Sequence, residues 1–252
     1  HSVSRGPRRD KRAAQIRRER AEPTEAAPTG AGVRKGAMKS MDMRITHAER
    51  VIDKKSGITK GELVAFYDQV AEVMLPHLKG RPVALVRAPE GIGGELFFQK
   101  HAQHSELPGV KLLDPSLDRD HDPLLQIDTA RGLLSAAQMN VIEFHTWNAT
   151  SKAIDTPDRL TFDLDPGEGV PWARMQEAAM LVQTLLAELG LPAFLKTSGG
   201  KGLHVLVPIK RQHGWDAVKG FSRAVVQHLA TTIPERFVAK SGPRNRVGKI
   251  FV

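Results

Sequence analysis

The sequence predicts a mixed α+β (or α/β) fold in a single domain, and three observations carry that prediction. Apolar residues at helical spacing alternate with short apolar runs of strand length. Glycine and proline punctuate the changes, and no segment repeats. Ordered structure is expected from about Met43 to Ile45. Thr59-Lys60-Gly61-Glu62 has the pattern of a capping box, and Leu63, Phe66, Tyr67, Val70, Val73 and Met74 follow at helical spacing, which predicts a helix ending near Lys79-Gly80. Val83 to Arg87 and Glu95 to Gln99 read as strands, Ile127 to Met139 as a helix, and Val141 to His145 as a strand. Leu160 to Asp165 is a further strand, stopped by Pro166-Gly167. Pro171-Trp172 opens a long helix that Gly190 ends. Ala193 to Ser198 and Leu203 to Ile209 flank Gly199-Gly200-Lys201-Gly202, which predicts a hairpin with a glycine-rich tip. Trp215, Val218, Phe221, Val225 and Leu229 mark another helix, and Lys249 to Val252 opens a last strand.

Composition narrows the chemistry. The 252 residues contain no cysteine, which excludes disulfides, thiolate zinc sites and cysteine nucleophiles, so any metal must sit on Asp, Glu or His. No apolar run approaches the roughly 18 residues that span a bilayer, and the N-terminus lacks the apolar core of a signal peptide. The formal charge of +9 is uneven. Residues 1–39 hold 11 Lys/Arg against four acids, while residues 40–252 net only +2. Residues 1–40, rich in Arg, Ala, Pro and Gly, are expected to be a flexible basic linker, with His1-Ser2 a cloning remnant and residues 41–252 the folded domain.

Several constellations can carry chemistry. In Thr161-Phe162-Asp163-Leu164-Asp165 the period of two sends Asp163 and Asp165 to one face and Phe162 and Leu164 to the other. Two neighbouring carboxylates repel and suit a divalent cation between them; two solvated acids on an edge strand are the alternative. Thr197-Ser198-Gly199-Gly200-Lys201-Gly202-Leu203-His204 lets backbone amides approach a phosphate, with Lys201 as a point charge, or forms a plain turn. It is not a Walker A loop. His204 interrupts an apolar strand, as a ligand-facing residue or a satisfied core histidine. Glu143 and His145 share a strand face. Phe97 and Phe98 stand beside Lys100 and His101, a pattern suited to base stacking in which one ring is expected to pack inward. Arg244, Arg246 and Lys249 cluster near the end, as a phosphate contact or a solvated basic face.

Together these motifs resemble the archaeo-eukaryotic primase superfamily, in particular the polymerase domain of bacterial ATP-dependent DNA ligase D. The residues that carry the resemblance are Phe162 to Gly169 and Thr197 to His204, supported by Arg44-Ile45-Thr46-His47, Phe97-Phe98-Gln99-Lys100 and Gly248 to Val252. It covers the chain from about Met43 onward. The resemblance implies an RRM-like catalytic sheet flanked by helices, with a packed N-terminal subdomain, and a metal-dependent, template-directed addition of ribo- or deoxyribonucleotides to DNA 3′ ends during bacterial non-homologous end joining. It also implies Mn²⁺ (or Mg²⁺) on Asp163 and Asp165. Asp163, Asp165 and His204 would be catalytic, and Ser198, Gly199, Gly200, Lys201 and His204 would bind the NTP or dNTP, with His145, Arg246 and Lys249 also at the nucleotide. His47, Arg50 and Lys60 would meet a 5′-phosphate on gapped or broken DNA, and Phe97 and Phe98 would stack on the template. Implied partners are a Ku-type end-binding protein and the ligase and phosphoesterase domains of the same chain, in the bacterial cytoplasm at the nucleoid and away from membranes. Residues 1–40 would link the domain to its neighbour. A third metal carboxylate is expected directly after Val252, so a form ending there is expected to be a weak or inactive polymerase. A non-catalytic module that binds DNA ends, and a metal-dependent phosphoesterase on the same paired aspartates, are the rival readings.

Overall fold

Strand formation here follows from side-chain parity: residues that alternate between apolar and polar character can bury one face of a sheet and wet the other. The computed structural model describes residues 43–102 and 107–252, so the expected basic linker over residues 1–40 lies outside the described residues. Among the described residues the chain forms α1 (Lys60–Leu78), β1 (Pro82–Arg87), β2 (Phe97–Gln99), β3 (Val110–Leu112), β4 (Leu125–Ile127), α2 (Ala130–Gln138), β5 (Val141–Thr146), β6 (Arg159–Pro166), α3 (Trp172–Glu188), β7 (Phe194–Thr197), β8 (Leu203–Pro208), α4 (Trp215–Thr232), β9 (Phe237–Val238) and β10 (Ile250–Phe251). The mixed class holds. Among the described residues, no helix is long and apolar enough to cross a membrane. The chain divides into two compact units that meet between Thr146 and Trp147.

The first unit is built on β1, whose Val83, Ala84, Leu85 and Val86 are all buried. One edge of β1 pairs antiparallel with β5. The other pairs with β4 at its start and β2 at its end, and β3 adds to β4. Thr59 starts α1 with the expected capping box: its hydroxyl accepts from the Glu62 amide at 3.3 Å, and its own amide donates to Glu62 Oε2 at 2.8 Å. The buried stripe of α1 is rotated from the sequence expectation. Val64, Tyr67, Ala71 and Leu78 enter the core, while Phe66 and Val73 are exposed. The expected helix over Ile127–Met139 also begins later. Ile127 lies in β4, Asp128 accepts from the Gly80 amide, and Thr129 caps α2 through the Gly132 amide. Periodicity alone could not separate this three-residue buried strand from a first helical turn.

In the second unit the sheet order is β7-β8-β6-β10-β9, antiparallel except for the β9–β10 pair. Leu160, Phe162 and Leu164 of β6 and Leu203, Val205 and Val207 of β8 point into one core. Met175, Ala178, Ala179, Val182 and Leu186 of α3 and Val218, Val225 and Leu229 of α4 close it. Both helices therefore cover the same face of the sheet, and the opposite face keeps its polar side chains.

Tyr67 is the only tyrosine in the sequence. Its ring stacks edge-on against Phe144, its hydroxyl donates to the Ile142 carbonyl at 3.0 Å, and burial, with Glu143 nearby, pushes its pKa up to about 12. The native state thus holds this proton more tightly than the unfolded chain. The contribution is full below about pH 10 and is lost as pH rises toward about 12, worth up to about 2.7 kcal/mol. Tyrosinate absorbance should titrate near pH 12 in the folded chain and near 10 in denaturant, and Tyr67→Phe should remove this part of the alkaline loss of stability.

Candidate functional site

The polar face of β6 is where chemistry can collect. Thr161, Asp163 and Asp165 alternate with the buried Leu160, Phe162 and Leu164, as the period of two requires. The β6–β8 register sets Asp163 directly opposite His204, and β7 sets Lys196 opposite His204 on its other side. His204 Nε2 lies 3.3 Å from Asp163 Oδ1, so His204 turns toward the carboxylate rather than into the core. Arg246 Nη1 lies 3.5 Å from Asp165 Oδ2. Each carboxylate of the pair therefore has a cationic or protonatable partner, which offsets their mutual repulsion. Partial desolvation, with Arg159 adding to it, holds the Lys196 ammonium below the ordinary lysine range, and Asp163 works against that shift. Lys196 was not singled out from the sequence. Its place on this face follows from the hairpin register, a non-local property.

Glycines make the crowding around Asp165 sterically allowed. A Cβ on Gly202 would stand 2.7 Å from the Leu164 carbonyl oxygen and 3.1 Å from Asp165 Oδ1. A Cβ on Gly167 would collide with the Arg246 carbonyl, which the Gly167 position must admit so that its amide can donate to the Lys249 carbonyl at 2.9 Å. The loop between β7 and β8 closes on Ser198. Its hydroxyl donates to the Gly202 carbonyl at 2.9 Å and accepts from the Gly200 amide at 3.3 Å, while Gly199 takes a φ of +83°. Lys201 is exposed at this loop, and Lys249 is half-buried at the start of β10.

The remaining sequence candidates lie in the first unit. His145 Nε2 is 2.9 Å from Glu143 Oε2, and its ring meets Phe98 edge-on at 5.7 Å. Lys100 Nζ stands 5.7 Å from the Phe98 centroid. The expectation that Phe97 or Phe98 packs inward is corrected. Phe97 is exposed and Phe98 half-buried, and the residue that β2 buries is Gln99, held by Arg87 and the His101 carbonyl. Lys60 is 6% exposed, an uncommon burial for an ammonium group. Its Nζ and the Gln138 amide converge on the Thr46 hydroxyl at 3.4 and 2.7 Å. Burial, reinforced by Arg50, pushes the Lys60 pKa down, and Glu49 opposes this. Arg50 donates to the Pro89 carbonyl, and His47 beside it adopts a positive φ of 52°. A group that sequence reasoning did not assemble also lies here: His101, Asp118 and His121 bring their ligand atoms within 4.8 Å of one another. Only the Asp-x-x-His spacing of the last two hints at it.

The model of the LigD primase-polymerase domain matches residues 59–252, and the chain belongs to that family. The multifunctional non-homologous end joining protein LigD of Pseudomonas aeruginosa is 54% identical over 100% of this chain and 30% of its own length. The multifunctional non-homologous end joining DNA repair protein LigD of Mycobacterium tuberculosis is 33% identical over 86% of this chain and 30% of its own. The chain thus spans about 30% of the length of these relatives. The solved polymerase domain of Mycobacterium tuberculosis ligase D, in complex with DNA, aligns with a TM-score of 0.75 at 32% identity, over 83% of this chain and 76% of that one.

The steric account gives a direct test. Gly202→Ala should lower stability by about 1–3 kcal/mol in denaturant unfolding, because the Leu164 carbonyl cannot yield without moving β6. Gly200→Ala, whose Cβ would meet nothing closer than Ser198 Oγ at 3.8 Å, should stay within about 0.5 kcal/mol.

Proposed function

We propose that this domain is a metal-dependent, template-directed nucleotidyltransferase that adds ribo- or deoxyribonucleotides to DNA 3′ ends, in gap filling and end extension during bacterial non-homologous end joining. The observation that carries this reading is the polar face of β6, where Asp163 and Asp165 stand side by side with His204 and Arg246 drawn to them. The same face belongs to a chain of the LigD primase-polymerase family.

In this reading Asp163 and Asp165 hold Mn²⁺, with Mg²⁺ as the alternative. The donor set fits: both are hard oxygen ligands, and both remain partly exposed on one strand face. The bound ion would supply neutralisation of the triphosphate and activation of the primer 3′-hydroxyl. The chain's own groups do the rest. Arg246 carries positive charge to the edge of the carboxylate pair, where triphosphate oxygens would be received, His204 offers a ring nitrogen beside it, and Lys201 and Lys249 extend the charge. Ser198 shapes the loop whose backbone follows the phosphates. His145, oriented by Glu143, is the first unit's candidate for the nucleotide. The β6–β10 register places Phe251 opposite Asp165, so the position opposite Asp163 falls two residues past Phe251, where the resemblance implies a third carboxylate.

The first unit's part is DNA. Lys60, with Arg50 and His47 nearby, takes the 5′-phosphate of the downstream strand, and Phe97 and Phe98 offer faces to template bases. A Ku-type protein and ligase and phosphoesterase domains are the partners this reading implies.

Two experiments test it. With Mn²⁺, a gapped duplex carrying a 5′-phosphate and single ribonucleotides, a chain extended past Val252 should add one templated nucleotide. Asp163→Ala or Asp165→Ala should reduce the rate about a hundredfold or more, and removing the metal with chelator should abolish it. Gap binding without any addition would instead favour a non-catalytic end-binding module. Second, Lys60→Met should leave thermal stability unchanged or raised, because it removes a desolvated charge, yet weaken binding to 5′-phosphorylated gaps by about tenfold while sparing gaps that lack the phosphate. Equal weakening on both DNAs would remove Lys60 from the phosphate site.

A further inference from the structure

We propose that His101, Asp118 and His121 form a second metal site, a Zn²⁺ clasp built from ligands independent of Asp163 and Asp165. His101 Nε2 lies 3.0 Å from Asp118 Oδ2, and His121 Nδ1 lies 2.8 Å from Asp118 Oδ1. The two imidazoles stack nearly parallel, with centroids 4.8 Å apart and planes inclined by 9°. One nitrogen from each ring and a carboxylate oxygen thus lie together, all three ligand atoms within 4.8 Å of one another.

The backbone forms this arrangement before any ion arrives. Asp114 caps a short turn through the Ser116 amide at 2.8 Å, and the Asp118 amide donates back to the Pro115 carbonyl. The His121 amide then donates to the Asp118 carbonyl at 3.2 Å, which sets Asp118 and His121 on one side of the bend. His101 is fixed separately by its bridge to Leu124, and Ala102 donates to the Pro123 carbonyl at 2.8 Å. Two segments distant in sequence are therefore held with their ligand atoms facing. Burial resists ionisation of Asp118, but the bonds from His121 and His101 outweigh it and hold the carboxyl below its usual range.

The donor set selects the ion. Two imidazoles and one carboxylate are borderline-to-hard donors that suit Zn²⁺, and three protein ligands leave a fourth position for water. His101 and His121 line a cleft of about 680 Å³ together with Phe97, Phe98 and Arg119. A bound ion would tie the segment after β2 to the connection between β3 and β4, and so steady Arg119 beside the two phenylalanines.

The test uses the Asp163→Ala/Asp165→Ala chain, so that neither outcome depends on the polymerase reading. After dialysis against chelator, calorimetry with Zn²⁺ should give one equivalent bound per chain. His101→Gln, His121→Gln and Asp118→Asn should each weaken it by about tenfold or more. His228→Gln, an exposed residue on α4, should not. Zn²⁺ should also raise the melting temperature by a few degrees in the parent and not in the ligand variants. Co²⁺ in its place should give visible absorption bands that the same variants lose. Circular dichroism and metal-free melting show that each variant has folded. Absence of stoichiometric Zn²⁺ in the parent, or binding that survives both histidine substitutions, would overturn the site and leave the three residues as a hydrogen-bonded clasp.

Discussion

The second unit depends on one conflict in β6, between the need to bury Leu160, Phe162 and Leu164 and the repulsion between the carboxylates that alternate with them. The apolar face fixes the strand's register, since a slip of one residue would drive Asp163 and Asp165 into the core and expose Phe162 and Leu164. With the register fixed, the two acids are forced onto the same face, two residues or roughly 7 Å apart along the strand. The sheet resolves this by supplying positive or protonatable partners from neighbouring elements: His204 from β8, Lys196 from β7 and Arg246 from the turn before β10. Packing on one face thus dictates the electrostatics of the other.

Bringing those partners in requires backbone to approach backbone. Gly202 lies against the Leu164 carbonyl and Gly167 against the Arg246 carbonyl, and neither position admits a Cβ. Gly202 approaches β6 from the hairpin loop, and Gly167 continues β6 itself. One lets the hairpin loop close beside Asp165, and the other lets the segment carrying Arg246 fold back onto it. The Ser198 hydroxyl, bonded to the loop at both of its functions, fixes the loop's shape. The glycine-rich stretch is therefore more than a turn, because its last glycine is set by contact with the strand that bears the acids.

Local patterns were legible in the sequence and non-local ones were not. The capping box at Thr59, the parity of Asp163 and Asp165 and the hairpin around Gly199 to Gly202 are each decided within a few residues, and each is present. Three of the short strands, β3, β4 and β9, carry too few residues to show a period, and their pairing is set by distant neighbours. The rotation of α1 has a similar cause. Val64 and Ala71 are buried in place of Phe66 and Val73 because α2 and the sheet, not hydrophobicity alone, select the face. Likewise nothing near His101 announces Asp118, 17 positions on, until the β3–β4 connection folds back.

Lys60 is a buried cation whose surroundings match its charge poorly. A lysine held for stability would be expected to lie on the surface or against a carboxylate, where its charge is hydrated or matched. Here the ammonium is almost enclosed, bonds a neutral hydroxyl, and is depressed by burial and by the like charge of Arg50. Thr46 receives the Gln138 amide as well, so two donors share one oxygen, and Gln138 Oε1 is buried without a partner among the described residues. A buried ammonium whose printed hydrogen bond is one shared neutral oxygen, beside an unpaired amide oxygen, costs stability. In the function proposed above, an incoming phosphate would offset the charge of this ammonium, which its neutral hydroxyl partner does not.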